Sequence, residues 1–424
     1  MSDHTRNRRD FIQNITIALL CVSAVLLFAQ TQAYSLGVSG GLLSFLSGND
    51  LPAASTDAGQ AASTLTAPVR VAATSSFGRY GSVTLSTDDD AFEPLRGLLE
   101  QALDSAQDYT VSSADAFAEA LDRTSIYYDF LSPLPLSVIG ELVRTEGDET
   151  RTARRLLLAE RDGGVALYLW DGADGYSRCA TALTADTLEQ TVSQYELGNA
   201  FFAYESEEPD AHLLDPLSLF LETEPVLPVL AVSTSLSDTD QLLQALDFNP
   251  NTQFRYADAS GAEVVREGGR TLRIHPDGSL SYQGGSSQTL DIPSAEETPT
   301  LLEAVTAANT LLHELLSLSS GDAALYVSGI TQSGSETLLR FDYQVDGIPV
   351  RFTDGESAAE ITISDGYISS MTCRIRQYTT EGGTSLLLPL RQALAIAVRQ
   401  EGAELFIGYA DSGSSTVSAQ WLAE

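Results

Sequence analysis

The stretch FNPNTQFRYADASGAEVVREGGRTLRIHPDGSLSYQG, residues 248–284, decides between a reactive centre and a run of hairpins. It holds His275, one of four histidines in the chain, between Arg273 and Asp277. Leu272 and Ile274 alternate with Thr271, Arg273 and His275, the period of two expected of a half-buried strand. Pro276-Asp277-Gly278 supplies a turn, because proline presets φ near about −65° and glycine accepts positive φ. Ser260-Gly261 marks another turn upstream. The stretch therefore reads as two hairpins, with His275 on the exposed face of a strand just before a tight turn.

Working outward, SDTDQLLQALDF before the stretch predicts a short helix capped by Ser237 or Asp238. After it, LLEAVTAANTLLHELLSL places Leu301, Val305, Ala308, Leu312 and Leu315 on one helical face. Strands AALYVSGI, TLLRFDYQV, IPVRFT and AEITISDGYISSMTCRIRQY follow, with hairpin turns at Asp346-Gly347 and Asp365-Gly366. A helix opens at Pro389, and LFIGYA and TVSAQWLAE close a sheet. Further upstream, STDDDAFEPLRGLLEQALDSA and SSADAFAEALDR predict helices, and SIYYDF a short strand. Arg154–Glu160 and Val165–Trp170 form a hairpin about Asp162-Gly163-Gly164. The fold class expected is α+β: one N-terminal transmembrane helix, then extracytoplasmic domains of antiparallel sheets with packed helices. The divisions are a tail 1–10, an anchor 11–33, a linker 34–87 rich in Gly, Ser, Ala and Thr, and domains 88–233, 234–292 and 293–424.

The anchor is read from FIQNITIALLCVSAVLLFAQTQA, Phe11–Ala33. About 20 mostly apolar residues span a bilayer as a helix. Arg6, Arg8 and Arg9 precede this run and no basic residue follows until Arg70. The positive-inside rule then puts residues 1–10 in the cytoplasm and the bulk outside, as a single-pass protein of the cell membrane. Cleavage after Thr31-Gln32-Ala33 as a signal peptide is the alternative. Ala18, Ser23 and Ala24 are small enough to admit a neighbouring helix.

Composition excludes several chemistries. Net charge is −35 over 424 residues, which repels phosphate backbones and excludes nucleic acid as a partner. All 23 basic residues are arginine, so Schiff-base catalysis and a phosphate-loop lysine are absent. Of three cysteines, Cys21 falls in the apolar run, leaving Cys179 and Cys373 as buried thiols or one bridge.

No motif marks a catalytic, cofactor or metal site. GVSGG at Ser39 matches a nucleophile-elbow pattern but lacks the strand and helix that pattern requires. Asp88–Asp90 lacks the alternating spacing of a calcium loop. HELLS at His313 has Ser317 where a zinc helix needs its second histidine. His4, His212 and His275 are far apart in sequence, and picking a glycosidase pair from 58 acids has no basis. The expectation is catalytic residues none, cofactors none, metal none.

At residues 248–284, and again at LLRFDYQVDGIPVRF and LLLPLRQALAIA, the chain resembles the YycH/YycI family. These are membrane-anchored accessory proteins of the WalK–WalR cell-wall two-component system of Gram-positive bacteria. The resemblance covers roughly residues 236–424. It implies a non-enzymatic, membrane-tethered extracytoplasmic regulator of a sensor histidine kinase, with that kinase as partner through membrane-helix and ectodomain contacts. A second YycH/YycI-type protein and the membrane are further partners implied. An anchored or secreted binding module, or an envelope hydrolase, is the alternative.

Overall fold

Residues 67–83, 92–139, 151–173, 175–234, 239–285, 290–294, 299–316 and 321–424 are described by the computed structural model. All of them fall in one compact unit, Asp57–Glu424. The first sheet uses β1 (Arg70–Thr74), β2 (Tyr80–Val83), β3 (Gln107–Val111), β4 (Ser125–Pro135), β5 (Thr152–Arg161), β6 (Gly164–Trp170), β7 (Tyr176–Thr184), β8 (Ala200–Phe202) and β9 (Leu219–Leu221). Its order is β3-β7-β6-β5-β4-β1-β2-β8-β9. Along β4, Ile126, Tyr128 and Phe130 join one core while Tyr127 joins another, so both faces are buried. Helices cover those faces: α1 (Glu93–Asp104), α2 (Ala114–Leu121), α3 (Leu136–Ile139) and α4 (Ala185–Val192). Leu95, Leu98, Leu99 and Ala102 make the buried stripe of α1. Ser113 caps α2 by accepting from the Ala116 N–H at 3.2 Å. The expected short strand SIYYDF instead continues past Pro133, across a register shift between Asp129 and Leu134.

The rest of the chain begins with β10 (Pro228–Ser233) and α5 (Thr239–Ala245). The opening stretch folds as β11 (Arg255–Ala257), β12 (Glu263–Glu267), β13 (Arg270–Ile274) and β14 (Ser279–Gln283). After β15 (Leu290–Asp291) comes α6 (Leu301–Leu316), then β16 (Ala323–Ser333), β17 (Glu336–Val345), β18 (Ile348–Phe352), β19 (Ala359–Ser364) and β20 (Tyr367–Arg374). The last elements are β21 (Gln377–Thr384), α7 (Leu390–Ala397), β22 (Leu405–Asp411), β23 (Thr416–Val417) and β24 (Ala419–Ala423). A 12-stranded sheet runs β11-β12-β13-β14-β20-β19-β17-β18-β22-β24, with β15 on β20 and β16 on β17. Residues 234–292 and 293–424 thus share one sheet through β14 and β20, where Leu280 faces Cys373. The strands β21, β10 and β23 form a small third sheet.

One partner exchange shapes the site. Residues 336–341 of β17 pair with β19, whereas Gln344 and Val345 pair with β18. The sheet therefore splits at Asp342 and Tyr343, and β18 departs to pair in parallel with β22.

Two expectations are corrected. The α+β class gives way to a mostly β protein, with 46% of the described residues in strands and 22% in helices. Strands outran the reading because PVLAVS and QYTTEGGT, both without period-two alternation, find their strand partners in each other and in β23. Secondly, no helix among the described residues is long and apolar enough to cross a membrane. The longest helix among the described residues, α6, has 16 residues and spans roughly 24 Å at about 1.5 Å per residue, against about 30 Å of hydrocarbon. Phe11–Ala33, the run read as an anchor, lies outside the described residues, as do the linker motif at Ser39, Asp88–Asp90, and Ser237 and Asp238. The single-pass membrane placement, with a cytoplasmic N-terminus and an extracytoplasmic bulk, is accordingly withdrawn.

The turn at Gly278 offers a local test. Gly278 has φ +83°, and an added Cβ would lie 3.0 Å from the Ile375 carbonyl oxygen and from Thr234. Gly355 has φ +79° with nothing within 4 Å. A left-handed residue costs roughly 1–2 kcal/mol on sterics alone. Gly278→Ala is expected to exceed that cost and Gly355→Ala to stay within it, measured as denaturant midpoints.

Candidate functional site

A row of charge crosses the first sheet. Register places Arg70 opposite Asp129, Asp129 opposite Arg155 and Arg155 opposite Trp170, and opposite charges facing across strands attract. Asp129 is 0% exposed and Arg155 is 1% exposed. The Arg155 guanidinium lies 4.5 Å from the centroid of the Trp170 ring, a cation–π contact. It donates to Asp215 through Nη1 at 3.2 Å and Nη2 at 2.7 Å. Glu404, from the loop before β22, accepts from Arg70 and Arg154 and lies 3.2 Å from Arg155 Nη2. Three guanidiniums thus meet three carboxylates, and the set joins the first sheet to the last strands of the second. Burial alone would raise the Asp129 carboxyl, but Arg155, Arg70 and Arg154 override it and hold the group below the ordinary value of 3.8.

Such a cluster is structural. Every acid in it is matched by a cation, and the Tyr127 hydroxyl donates to Asp129 at 3.3 Å. Nearby, a cleft of about 520 Å³ opens between the edge of the first sheet and the β17–β18 hairpin. Leu221, Leu227, Ile348, Phe406, Ile407 and Trp421 give it an apolar lining, with Glu222 and Asp346 among its polar members.

His275, read as an exposed strand residue, is half-buried and opens the turn: its N–H donates to Ser279 O at 2.8 Å, and its carbonyl accepts from Gly278 N at 3.0 Å. It also lines a cavity of about 620 Å³ with Asp277, Asp354, Arg374, Arg376 and Asp411. This cavity occupies the end of the sheet that the β17 exchange has opened. Several of its groups are engaged by neighbours. Arg374 pairs with Asp354 at 2.7 Å and with Glu356. Asp411 accepts from Tyr378 Oη at 2.8 Å and Gly413 N at 2.7 Å. The Ser279 hydroxyl donates to Asp277 at 2.6 Å. Burial pushes the Cys373 thiol up to about 12, so it is no thiolate nucleophile. Among the described contacts, His275 has no hydroxyl or thiol as a hydrogen-bond partner.

His212 and His313 do not join His275, and among the described residues no group of three or more His, Cys, Asp or Glu could hold a metal. Cys179 and Cys373 are buried free thiols. No protein-family model matches the chain, and neither a curated protein nor a solved structure matches it. The YycH/YycI resemblance therefore rests on the quoted residues alone.

Removing one partner of a buried ion cluster costs about 3–5 kcal/mol, so Asp129→Asn is expected to lose that much stability at pH 7. The folded-state carboxyl sits below its unfolded value. Its contribution is therefore complete above about 3.9 and lost as pH falls through the lower folded value. The gap between wild type and Asp129→Asn should narrow only below that pH, in denaturant titrations run across pH 2–7.

Proposed function

We propose that the protein works by binding rather than by catalysis, as a regulator that acts on a sensor histidine kinase by contact. The partner class comes from the YycH/YycI resemblance, whose three stretches lie at β11–β14, β17–β18 and α7. The proposal needs no membrane anchor. A contact regulator shifts its partner only by binding one state better than another.

The single observation carrying the proposal is the apolar cleft between the two sheets. Ile348 and Ile407, half-buried rather than sealed, line it beside Trp421. Aromatic and aliphatic pockets of this kind receive the anchor side chains that dominate protein interfaces. Glu222 and Asp346 at the same cleft, on a chain of net charge −35, favour a partner with basic residues around that anchor.

The ionisable groups that would suggest a hydrolase are the ones committed to holding the fold. Arg155, Asp129 and Glu404 lock the seam, and Arg374 is closed by two acids.

Binding of the full chain to the sensing regions of the sensor kinases of its own cell tests the proposal by surface plasmon resonance. Saturable binding to one kinase is expected, weakened at least about tenfold by Ile407→Glu, a change equivalent to about 1.4 kcal/mol. Absence of any kinase partner, or equal binding by a folded Ile407→Glu variant, contradicts it.

A further inference from the structure

We propose that the cavity at the split end of the 12-stranded sheet binds a small zwitterion, an α-amino acid or the end of a short peptide, of neutral or basic side chain. The cavity is a consequence of topology. Where β17 leaves β19 for β18, the link 353–358 must return across the gap, and its Ala358 N–H is held by Asp342 Oδ1 at 3.2 Å. The opening that remains measures about 620 Å³, within the roughly 300–1,000 Å³ of small-molecule sites.

Two features say what would fill it. Arg376 is 8% exposed and charged. Its Nη1 donates to the Asp277 carbonyl at 2.7 Å, while its Nε is ion-paired with Asp411 Oδ2 at 3.4 Å but makes no hydrogen bond. A buried cation with an unfilled donor carries a desolvation cost that an incoming carboxylate would relieve by drawing Arg376 into a full set of bonds. On the same turn, the Asp277 side chain accepts only at Oδ1, from the Ser279 N–H at 2.9 Å and its hydroxyl. Its other oxygen is free to accept from an ammonium. A cationic carboxylate-binder and an acidic amine-binder therefore stand next to each other, the two halves of an amino-acid recognition site.

Charge then selects among amino acids. Asp277, Asp354, Glu356, Glu360 and Asp411 line the cavity against only Arg374 and Arg376 as full cations. Glu360 is matched from outside by Arg340 at 2.9 Å, which still leaves an excess of negative charge. An acidic ligand side chain is disfavoured there and a basic one attracted. This site is separate from the apolar cleft assigned to a protein partner and stands or falls without it.

Isothermal titration of the full chain with L-arginine, L-alanine, L-glutamate, putrescine, acetate and the dipeptide alanyl-alanine tests the proposal. Arginine and alanine should bind, glutamate at least about tenfold more weakly, and putrescine and acetate, each carrying half the recognition chemistry, at least about tenfold more weakly than arginine. Binding of the dipeptide as tightly as alanine would identify a peptide end as the ligand, and weaker binding a free amino acid; both support the zwitterion site. Asp277→Asn and Arg376→Gln should each reduce arginine affinity about tenfold or more. Ser281→Trp, which fills the cavity without altering its charges, should abolish binding. Should Arg376→Gln fail to fold, the other two variants decide. Putrescine binding as tightly as arginine, glutamate binding equally well, binding untouched by Asp277→Asn or Ser281→Trp, or no binding of any probe at millimolar concentration would each overturn it.

Discussion

The Arg155 guanidinium is the constraint on which the rest of the structure depends. A buried charge is tolerated only when it is paired and hydrogen-bonded, and no single element of this chain could do that alone. Asp129 meets it from the neighbouring strand, Trp170 from the other side, Asp215 from the loop after the 3₁₀ turn Pro209–Leu213, and Glu404 from the entry to β22. The last of these ties the first sheet to the second. Apolar packing runs through the same region, where Leu214 and Phe220 share a core with Leu394 and Leu405. Packing supplies most of the driving force, and the ion cluster fixes which arrangement of the two sheets is neutral.

That division of labour explains the functional reading. A chain with 58 acids and 23 arginines has few cations to spare, and the ones near its interior are engaged in holding sheets or turns. What is left for recognition is shape: an apolar cleft beside the seam and a polar cavity where one sheet opens. Both arise from topology, the first from two sheet edges meeting and the second from β17 exchanging partners. Neither needs a motif, which is consistent with a sequence that displays none.

Local features were legible in the sequence because their causes are local. Turns at Asp162-Gly163, Asp346-Gly347 and Asp365-Gly366 form where the residues demand positive φ, and each of those six residues has it. The buried stripe Val305, Ala308, Leu312 and Leu315 followed from helical spacing. By contrast, Arg155 in TARRLLLAER and Asp129 in SIYYDF gave only a faint signal, a charged residue in an otherwise apolar strand, and their pairing depends on strand register. Glu404 and Asp215 had none, since their role exists only once segments about 190 residues apart meet. His275 was placed correctly at its turn yet misjudged as a surface residue, because residues of the loop 353–358 and Arg376, which line the same cavity, come from sequence far downstream. The class itself was misread where strands such as PVLAVS lack alternation and are specified by their partners alone.

Whether the ion cluster makes the two sheets one cooperative body can be measured by native-state hydrogen exchange of a Glu404→Gln variant. Coupling through Arg70, Arg154 and Arg155 predicts that peptides covering β4 and β5 lose protection together with those covering β22 and β24, by the same free energy. Loss confined to residues 405–423, with β4 and β5 as protected as before, would show that the sheets stand independently and would contradict the role given to the cluster.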